Sequence, residues 1–341
     1  MLFRSDQLTG WWNGVAVGDF DGDGRLDIVA SNWGRNSKYQ SFRAQPLRLY
    51  CGDFDGNGTL DIIEAYFNPA MNKAVPSAPL HRILAAMPSL QERIGGCDTY
   101  AKASIEEIYG EPLKTAKQLQ ASWLDSTLFL NRGDHFEAVP LPVEAQMAPA
   151  FAVCVGDLDG DGHEDVFLSQ NFFAVHPETS RYDAGRGLWL RGDGHGGFSA
   201  VPGQESGLTI YGEQRGAALC DFDGDGRVDL AVSQNAAQTK LYRNISARPG
   251  LRVRLLGPPG NPNGIGATLR LVMGNRLGPA RELHAGSGYW SHDSVVQVLA
   301  NSETPTQIRV RWAGGKEVTA TIPAGAREIS IDMSGQAKRV R

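Results

Sequence analysis

The chain has 341 residues, a net charge of −5 and 41% hydrophobic residues, the composition of a folded protein long enough for two domains or one repeat array. The acidic balance, together with the lack of a basic stripe with interleaved aromatics, argues against nucleic acid as a partner. No run of 18 apolar residues occurs, so we expect no membrane span.

Residues 1–6 lack the basic stretch followed by an apolar stretch that marks a signal peptide.

Glycine accounts for 41 residues, about 12% of the chain against a usual ~7%. These glycines cluster with Asp and Asn between short apolar runs, which is typical of short strands joined by tight turns. We therefore predict an all-β fold.

One nine-residue pattern, D-x-D-G-[DN]-G-x-x-D, occurs four times along the chain. The copies begin at Asp19, Asp53, Asp157 and Asp221. A short apolar run precedes each copy, and a β-like run such as residues 28–31 follows it. The pattern therefore predicts four loops, each joining two strands.

The spacing of the carboxylates in these loops indicates calcium. Ca²⁺ binds six to eight hard oxygens at about 2.3–2.6 Å, and carboxylates at the first, third, fifth and ninth positions of a curled loop can converge on one ion. The backbone carbonyl of the seventh position adds an oxygen, and the two glycines permit the curl because they reach φ > 0. We predict about four Ca²⁺ ions, held by Asp19, Asp21, Asp23, Arg25, Asp27, Asp53, Asp55, Asn57, Thr59, Asp61, Asp157, Asp159, Asp161, His163, Asp165, Asp221, Asp223, Asp225, Arg227 and Asp229.

Two other interpretations of the loops exist. They could be ordinary Asp-Gly turns, which four matching nine-residue copies disfavour. The second loop with Glu64 also satisfies the EF-hand pattern, but an EF-hand needs flanking helices, and residues 47–51 and 62–67 are predicted strands. The other three loops carry apolar residues where the EF-hand needs its glutamate, so we predict that the ninth-position Asp closes each site.

The four cysteines, Cys51, Cys97, Cys154 and Cys220, form no C-x-x-C pair, so a zinc site is not expected. Three of them lie in the run that leads into a loop, where any small apolar residue would serve. We expect buried free thiols.

The loops resemble the FG-GAP/VCBS repeats of integrin-type β-propellers, in which Ca²⁺ lies in a hairpin loop between blade strands. Residues 127–136 and 187–198 are similar to the hairpin L-x-x-N-x-G-D-G-x-F that these blades use further along, and residues 240–244 look like the same hairpin cut short. The segments 263–267, 281–291 and 308–315 resemble the ASPIC/UnbV domain. This combination is similar to the cartilage acidic protein family and its bacterial relatives, which are typically exported.

The resemblance implies β-propeller blades over residues 1–245 and a small β-rich ASPIC/UnbV-like domain over 246–335. At roughly 40–60 residues a blade, the first region holds about four to five blades. We expect a partial propeller, with further blades and any signal peptide in a missing N-terminal part or another chain. Helical spacing predicts an insertion over 70–122, and we expect an extracellular or periplasmic location.

The function expected from this architecture is a calcium-binding scaffold for a protein or glycan ligand. The alternative is a propeller enzyme, a lyase or sugar-converting enzyme acting on carbohydrate, with its site on top-face loops or the insertion. No catalytic constellation appears, which favours binding over catalysis.

The G-x-G-x-x-G at 192–197 precedes a predicted strand rather than the helix of a dinucleotide site. Two Arg-Gly-Asp tripeptides, at 132–134 and 191–193, occupy matching turns, so repeat architecture explains them better than adhesion does.

Overall fold

The computed structural model describes residues 7–39, 45–286, 288–300 and 303–341. It contains two compact units: Trp12–Lys38 with Asp125–Arg341, and residues 7–11 with Tyr39–Leu124. Strands outnumber helices, which confirms the predicted all-β class with a helical insertion. In the part of the chain that the structure describes, no helix is long and apolar enough to cross a membrane.

The elements are short, as the spacing of turn residues predicts. In chain order, the strands are β1 (Val15–Gly18), β2 (Asp27–Ala30), β3 (Leu47–Gly52), β4 (Asp61–Asn68), β5 (Lys73–Pro76), β6 (Lys117–Ala121), β7 (Thr127–Asn131), β8 (Phe136–Pro140), β9 (Ala150–Gly156), β10 (Asp165–Gln170), β11 (Leu188–Gly192), β12 (Phe198–Val201), β13 (Glu213–Cys220), β14 (Asp229–Asn235), β15 (Ala237–Tyr242), β16 (Leu251–Leu256), β17 (Thr268–Met273), β18 (Arg276–Leu277), β19 (Arg281–Glu282), β20 (Gln297–Leu299), β21 (Gln307–Arg311), β22 (Glu317–Thr321), β23 (Glu328–Asp332) and β24 (Ala337–Arg339). The helices are α1 (Leu80–Ala86), α2 (Gln91–Ile94), α3 (Cys97–Lys102), α4 (Ile105–Tyr109), α5 (Pro112–Thr115) and α6 (Gly203–Ser206), with 3-10 turns at Pro88–Leu90 and Val143–Gln146.

Three antiparallel sheets of the first unit have the strand order of propeller blades. They run β1-β2-β7-β8, β9-β10-β11-β12 and β13-β14-β15. In each sheet, one aspartate loop joins the first two strands. The predicted hairpins are β7–β8 and β11–β12, and the third sheet ends at β15, as its shortened hairpin predicts.

Strand β9 is buried on both faces because it contributes to two cores. Val153 belongs to the core that contains Leu128 of the first sheet, whereas its neighbour Cys154 belongs to the core that contains Leu219 of the third. Successive side chains of a strand point to opposite faces, and both residues have no exposed surface. The Cys154 thiol is a small side chain that fits this buried position.

All four cysteines are free, as predicted. Three of them lie in the strands that lead into loops, but only Cys154 is fully buried. The expectation of burial is wrong for Cys97, which is exposed because it occupies the first turn of α3 and that helix has no buried residue.

The second unit contains α1–α5 and one sheet of order β5-β4-β3-β6. Its aspartate loop joins β3 to β4, so strands rather than helices flank the loop and it is not an EF-hand. Strand β6 pairs with β3 on the side away from β4, an order that differs from the three blades. The helical segment predicted over 70–122 thus belongs to a larger unit that carries one of the four loops and is inserted in the chain between β2 and β7.

Local sequence signals specify helix α4 of this unit. The Ser104 hydroxyl accepts the N–H of Glu107 at 3.2 Å, and the Glu107 carboxylate accepts the N–H of Ser104 at 2.6 Å, which is a capping box. Ile105 and Ile108 of this helix are buried in one core with Ile63 of the sheet. The helical spacing predicted within residues 70–122 is confirmed at Ile105–Tyr109, and the second unit has a core of its own.

The C-terminal domain has two sheets around one apolar core. Their orders are β20-β16-β23-β24 and β18-β17-β21-β22, with β19 also pairing with β17. Strands β16 and β23 are parallel. Alternate residues of three strands, represented by Val253, Leu269 and Ile308, lie in this core with no exposed surface, because a period of two places them on one face.

Replacing Leu269 by Ala should destabilise this domain by about 2–5 kcal/mol, because it removes fully buried methyl groups and leaves a cavity. The matched control is Leu256→Ala, since Leu256 lies in the same domain but is 46% exposed, and its truncation should cost less than ~0.5 kcal/mol. Urea unfolding, followed by tryptophan fluorescence, measures both losses. Equal losses in the two variants would contradict the assigned core.

Candidate metal centres

Each aspartate loop is curled by two glycines and held by the carboxylate of its first residue. In the third loop, Gly160 and Gly162 have φ values of 76° and 97°, which residues with a Cβ rarely adopt. Their N–H groups donate to Asp157 at 2.7 and 2.9 Å. Asp53 and Asp221 accept the same pair of bonds from the glycines of the second and fourth loops. The first carboxylate therefore organises the turn as well as facing its centre.

The ninth-position aspartates of the three blades join the loop to the third strand of the sheet. Asp165 accepts the N–H of Leu158 at 2.9 Å within its loop and the N–H of Gly192 at 2.8 Å at the end of β11. Asp27 and Asp229 accept the corresponding two bonds in the other blades. All three are buried. The ninth-position Asp was predicted to close a metal site, and its second role as a link between strands was not predicted.

The carboxylates converge in all four loops. In each group, one oxygen from each of three aspartates lies within 4.8 Å of the other two. The groups are Asp19, Asp21 and Asp27; Asp53, Asp55 and Asp61; Asp157, Asp159 and Asp165; and Asp221, Asp223 and Asp225. The first, third and ninth positions thus meet in the first three loops, while in the fourth Asp225 joins the group instead of Asp229.

The fifth-position side chains face the backbone of their own loop. Asp23, Asn57, Asp161 and Asp225 each accept the N–H of the residue two positions later, at 2.7–3.0 Å. Those later residues are Arg25, Thr59, His163 and Arg227, whose carbonyl oxygens remain predicted ligands.

The hydrogen bonding of one buried oxygen in the first loop indicates whether these residues fit a cation. Asp19 is 1% exposed, and its Oδ2 accepts the N–H groups of Gly24 and Ala280 at 3.0 and 2.8 Å. Its Oδ1 is buried without a hydrogen-bond partner among the described residues. An unpaired buried carboxylate oxygen is unfavourable, and it lies beside two further carboxylates. A set made of carboxylate oxygens suits a hard divalent cation.

Burial raises the pKa of several carboxyls in these groups. It raises the pKa of Asp157 to about 7, that of Asp165 to about 8 and that of Asp27 to about 6. Desolvation is the main cause, because burial disfavours the charged form. The exposed second loop differs, since the N–H of Gly58 lowers the pKa of Asp53. A cation bound among the buried carboxylates would keep them ionised at neutral pH.

An arginine at the end of the third strand pairs with the third-position aspartate in each blade. Arg132 contacts Asp21 at 2.7 Å, and Arg191 contacts Asp159 at 2.8 Å. In the fourth loop, Arg243 contacts Asp223 at 2.6 Å. The first two are the arginines of the Arg-Gly-Asp tripeptides, so their guanidinium groups face the loops. This role was not predicted from the sequence, although the recurrence of Arg at one place in three hairpins was the available signal.

The C-terminal domain reaches all three blade loops. The N–H of Ala280 donates to Asp19 at 2.8 Å. Arg281 forms a two-bond ion pair with Glu164, the eighth residue of the third loop, at 2.8 and 2.7 Å. Arg252 pairs with Asp221 of the fourth loop. The domain thus caps the acidic ends of the three blades.

Comparison with known proteins gives two family matches. The FG-GAP repeat matches residues 11–40, which contain β1, the first loop and β2. The family described as ASPIC and UnbV matches residues 257–338, which contain β17 to β23 and the start of β24. The chain carries an FG-GAP repeat followed by a C-terminal ASPIC/UnbV domain. This confirms the architecture predicted from the sequence.

No curated protein matches the chain. FG-GAP repeats are typical of extracellular proteins and suggest a binding or scaffolding module.

The stability of the metal-free protein should fall as pH rises from about 5 to about 8. The folded pKa values of Asp157 and Asp165 are raised to about 7 and 8, so these groups retain protons that the unfolded chain has lost above pH ~4. The stability they contribute is therefore lost as pH rises through their folded pKa values.

Urea unfolding in the presence of a chelator measures this slope. Asp165→Asn removes one of the two groups and should reduce the slope, while Asp183→Asn, at an exposed position outside the loops, should leave it unchanged. A metal-free stability that rises over this pH range would contradict the assignment.

Proposed function

We propose that this protein is a calcium-loaded FG-GAP module that acts outside the cytoplasm as a binding scaffold for a protein or glycan ligand. The observation that carries the proposal is the convergence of three carboxylates in each of four loops. The buried Oδ1 of Asp19 supports it, because this oxygen has no hydrogen-bond partner in the part of the chain that the structure describes and a cation would supply one.

Calcium is a better candidate than magnesium or a transition metal for these loops. The converging ligands are carboxylates, without a cysteine or histidine among them, which argues against zinc and other softer ions. Calcium accepts six to eight oxygens in flexible geometry, whereas magnesium demands a near-ideal octahedron at shorter distances. A loop whose ligands come from nine consecutive residues and from backbone carbonyls suits the more tolerant ion.

The four sites should not be equivalent. The third loop is buried, with Asp157 and Asp165 at 3% and 0% exposure, whereas the second loop, begun by the exposed Asp53, lies in the other unit. Attraction between a cation and a carboxylate is stronger where water is excluded, but ionising the buried carboxyls costs free energy. We expect the blade sites to be more strongly pH-dependent than the site in the inserted unit, with affinities in the range of about 10⁻⁵–10⁻³ M.

Bound calcium would stiffen the edge of each blade. The ninth-position aspartate already connects the loop to the third strand, so an ion held by the same carboxylate would couple the loop to the whole sheet. A rigid scaffold lets surface groups bind a ligand without a large cost in ordering.

Calcium should raise the melting temperature of the protein strongly, and magnesium should raise it little. A ligand at 100 times its Kd stabilises the folded state by about 2.7 kcal/mol for each independent site. Asp159→Asn should remove most of the stabilisation from one site, because it replaces a converging carboxylate by a neutral amide while the turn held by Asp157 is retained. Asp183→Asn is the control and should behave as the wild type.

Thermal unfolding in chelator, in calcium and in magnesium measures these shifts for the three proteins. A wild-type melting temperature that does not respond to calcium would overturn the proposal.

A further inference from the structure

A cleft of about 810 Å³ lies between the fourth loop and the ASPIC/UnbV domain. Both sides belong to the same compact unit. Its volume is in the range of about 300–1,000 Å³ that holds small organic ligands. The proposed function as a calcium scaffold does not assign a role to this cleft.

Arginines dominate the charge of the cleft. Its charged lining residues are Asp223, Asp225, Arg227, Arg243, Arg252, Arg327 and Arg341. Five cations against two carboxylates make an anionic ligand the favoured occupant, and arginine is the side chain best suited to bind carboxylate through two parallel hydrogen bonds.

Most of these arginines form ion pairs with carboxylates of the fourth loop. Arg243 contacts Asp223 at 2.6 Å and Asp225 at 3.3 Å, and Arg227 contacts Asp225 at 2.8 Å. Arg252, whose side chain is 11% exposed, pairs with Asp221. The carboxylates that hold the arginines are therefore the same ones that converge in the fourth loop.

A cation in the fourth loop would change this balance. The carboxylates of Asp221, Asp223 and Asp225 would bind the ion as well, so their attraction for Arg243 would weaken. Arg252 would keep Glu328, which it contacts at 3.0 Å. Arg327 is exposed and makes no side-chain hydrogen bond or ion pair with the described residues. The cleft would then present Arg327 and a more weakly paired Arg243 beside a divalent ion.

We propose that this cleft binds a glycan that carries carboxylate groups, a uronate oligosaccharide, and that calcium in the fourth loop strengthens this binding. The proposal rests on the proposed function, whose ligand class it specifies. Carboxylate suits both partners, because it matches the guanidinium fork and is also a hard oxygen ligand of calcium.

The walls of the cleft favour a sugar over an acidic peptide. Pro249, Pro305 and Pro323 line it, and proline has no N–H to donate. An extended peptide binds such a surface poorly, because strand addition depends on backbone hydrogen bonds from the wall. A pyranose needs no backbone ladder and can place its apolar C–H face against the proline rings while its carboxylate reaches Arg243 or Arg327.

Isothermal titration calorimetry of the whole chain with trigalacturonate, in millimolar calcium and in chelator, tests the proposal. Maltotriose is the neutral-sugar control, and triglutamate is the acidic-peptide control. We expect trigalacturonate to bind in calcium, at least fivefold more weakly in chelator, and more tightly than either control.

Two double variants locate the site. Arg243→Gln with Arg327→Gln should weaken trigalacturonate binding by about tenfold or more, since two charge-assisted contacts are lost. Arg276→Gln with Arg309→Gln removes the same charge from exposed ion pairs outside the cleft and should leave the affinity unchanged. A melting curve of each variant verifies that it is folded.

The outcomes separate this proposal from the calcium assignment, because calcium binding is titrated first in the absence of sugar. If the protein binds calcium but not trigalacturonate, the proposal that the cleft binds a uronate is wrong and the calcium assignment is unaffected. Equal trigalacturonate affinity in calcium and in chelator overturns the role of the ion. Equal binding of triglutamate overturns the choice of a sugar, and equal losses in the two double variants overturn the location.

Discussion

Crowding of aspartate carboxylates at the first turn of each blade is the constraint around which the neighbouring groups are arranged. Three carboxylate oxygens within 4.8 Å of one another repel unless positive charge or N–H groups compensate them. The loop supplies glycine N–H groups, the third strand supplies an arginine, and the ASPIC/UnbV domain supplies further donors. Among the described residues, Asp19 Oδ1 still has no hydrogen-bond partner. A bound cation would balance the negative charge that these groups leave uncompensated.

The same constraint explains how the ASPIC/UnbV domain is fixed to the blades. Arg281 and Glu164 form a buried pair, with side chains 13% and 2% exposed. Such a pair contributes little net stability, but breaking it leaves an uncompensated buried charge. The pair therefore disfavours any other arrangement of the ASPIC/UnbV domain on the blades. Because the domain also contacts Asp19 and Asp221, cation binding in those loops and docking of the domain share the same carboxylates. Sites that share groups in this way influence each other reciprocally.

The sequence predicted most of the local structure and less of its organisation. The aspartate loops, their flanking strands and the hairpins at 127–136 and 187–198 followed from turn chemistry, which depends on a few consecutive residues. The order of β6 beside β3 did not follow, because pairing between distant strands leaves no short-range signal. The extent of the inserted unit was missed for the same reason, since its loop at Asp53 has the same local pattern as the blade loops. The pairing of Arg281 and Arg252 with the loops could not be predicted, because these arginines lie far from the loops in the chain.

The number of calcium ions bound to the protein tests the central claim most directly. Equilibrium dialysis against calcium, followed by metal analysis, should find about four ions per wild-type chain and about one fewer in Asp157→Asn, because each loop is an independent set of ligands. Replacing Asp19, Asp53, Asp157 and Asp221 together by Asn should abolish most of the binding. Wild-type protein that binds less than one ion per chain, or as little as this fourfold variant, would contradict the account.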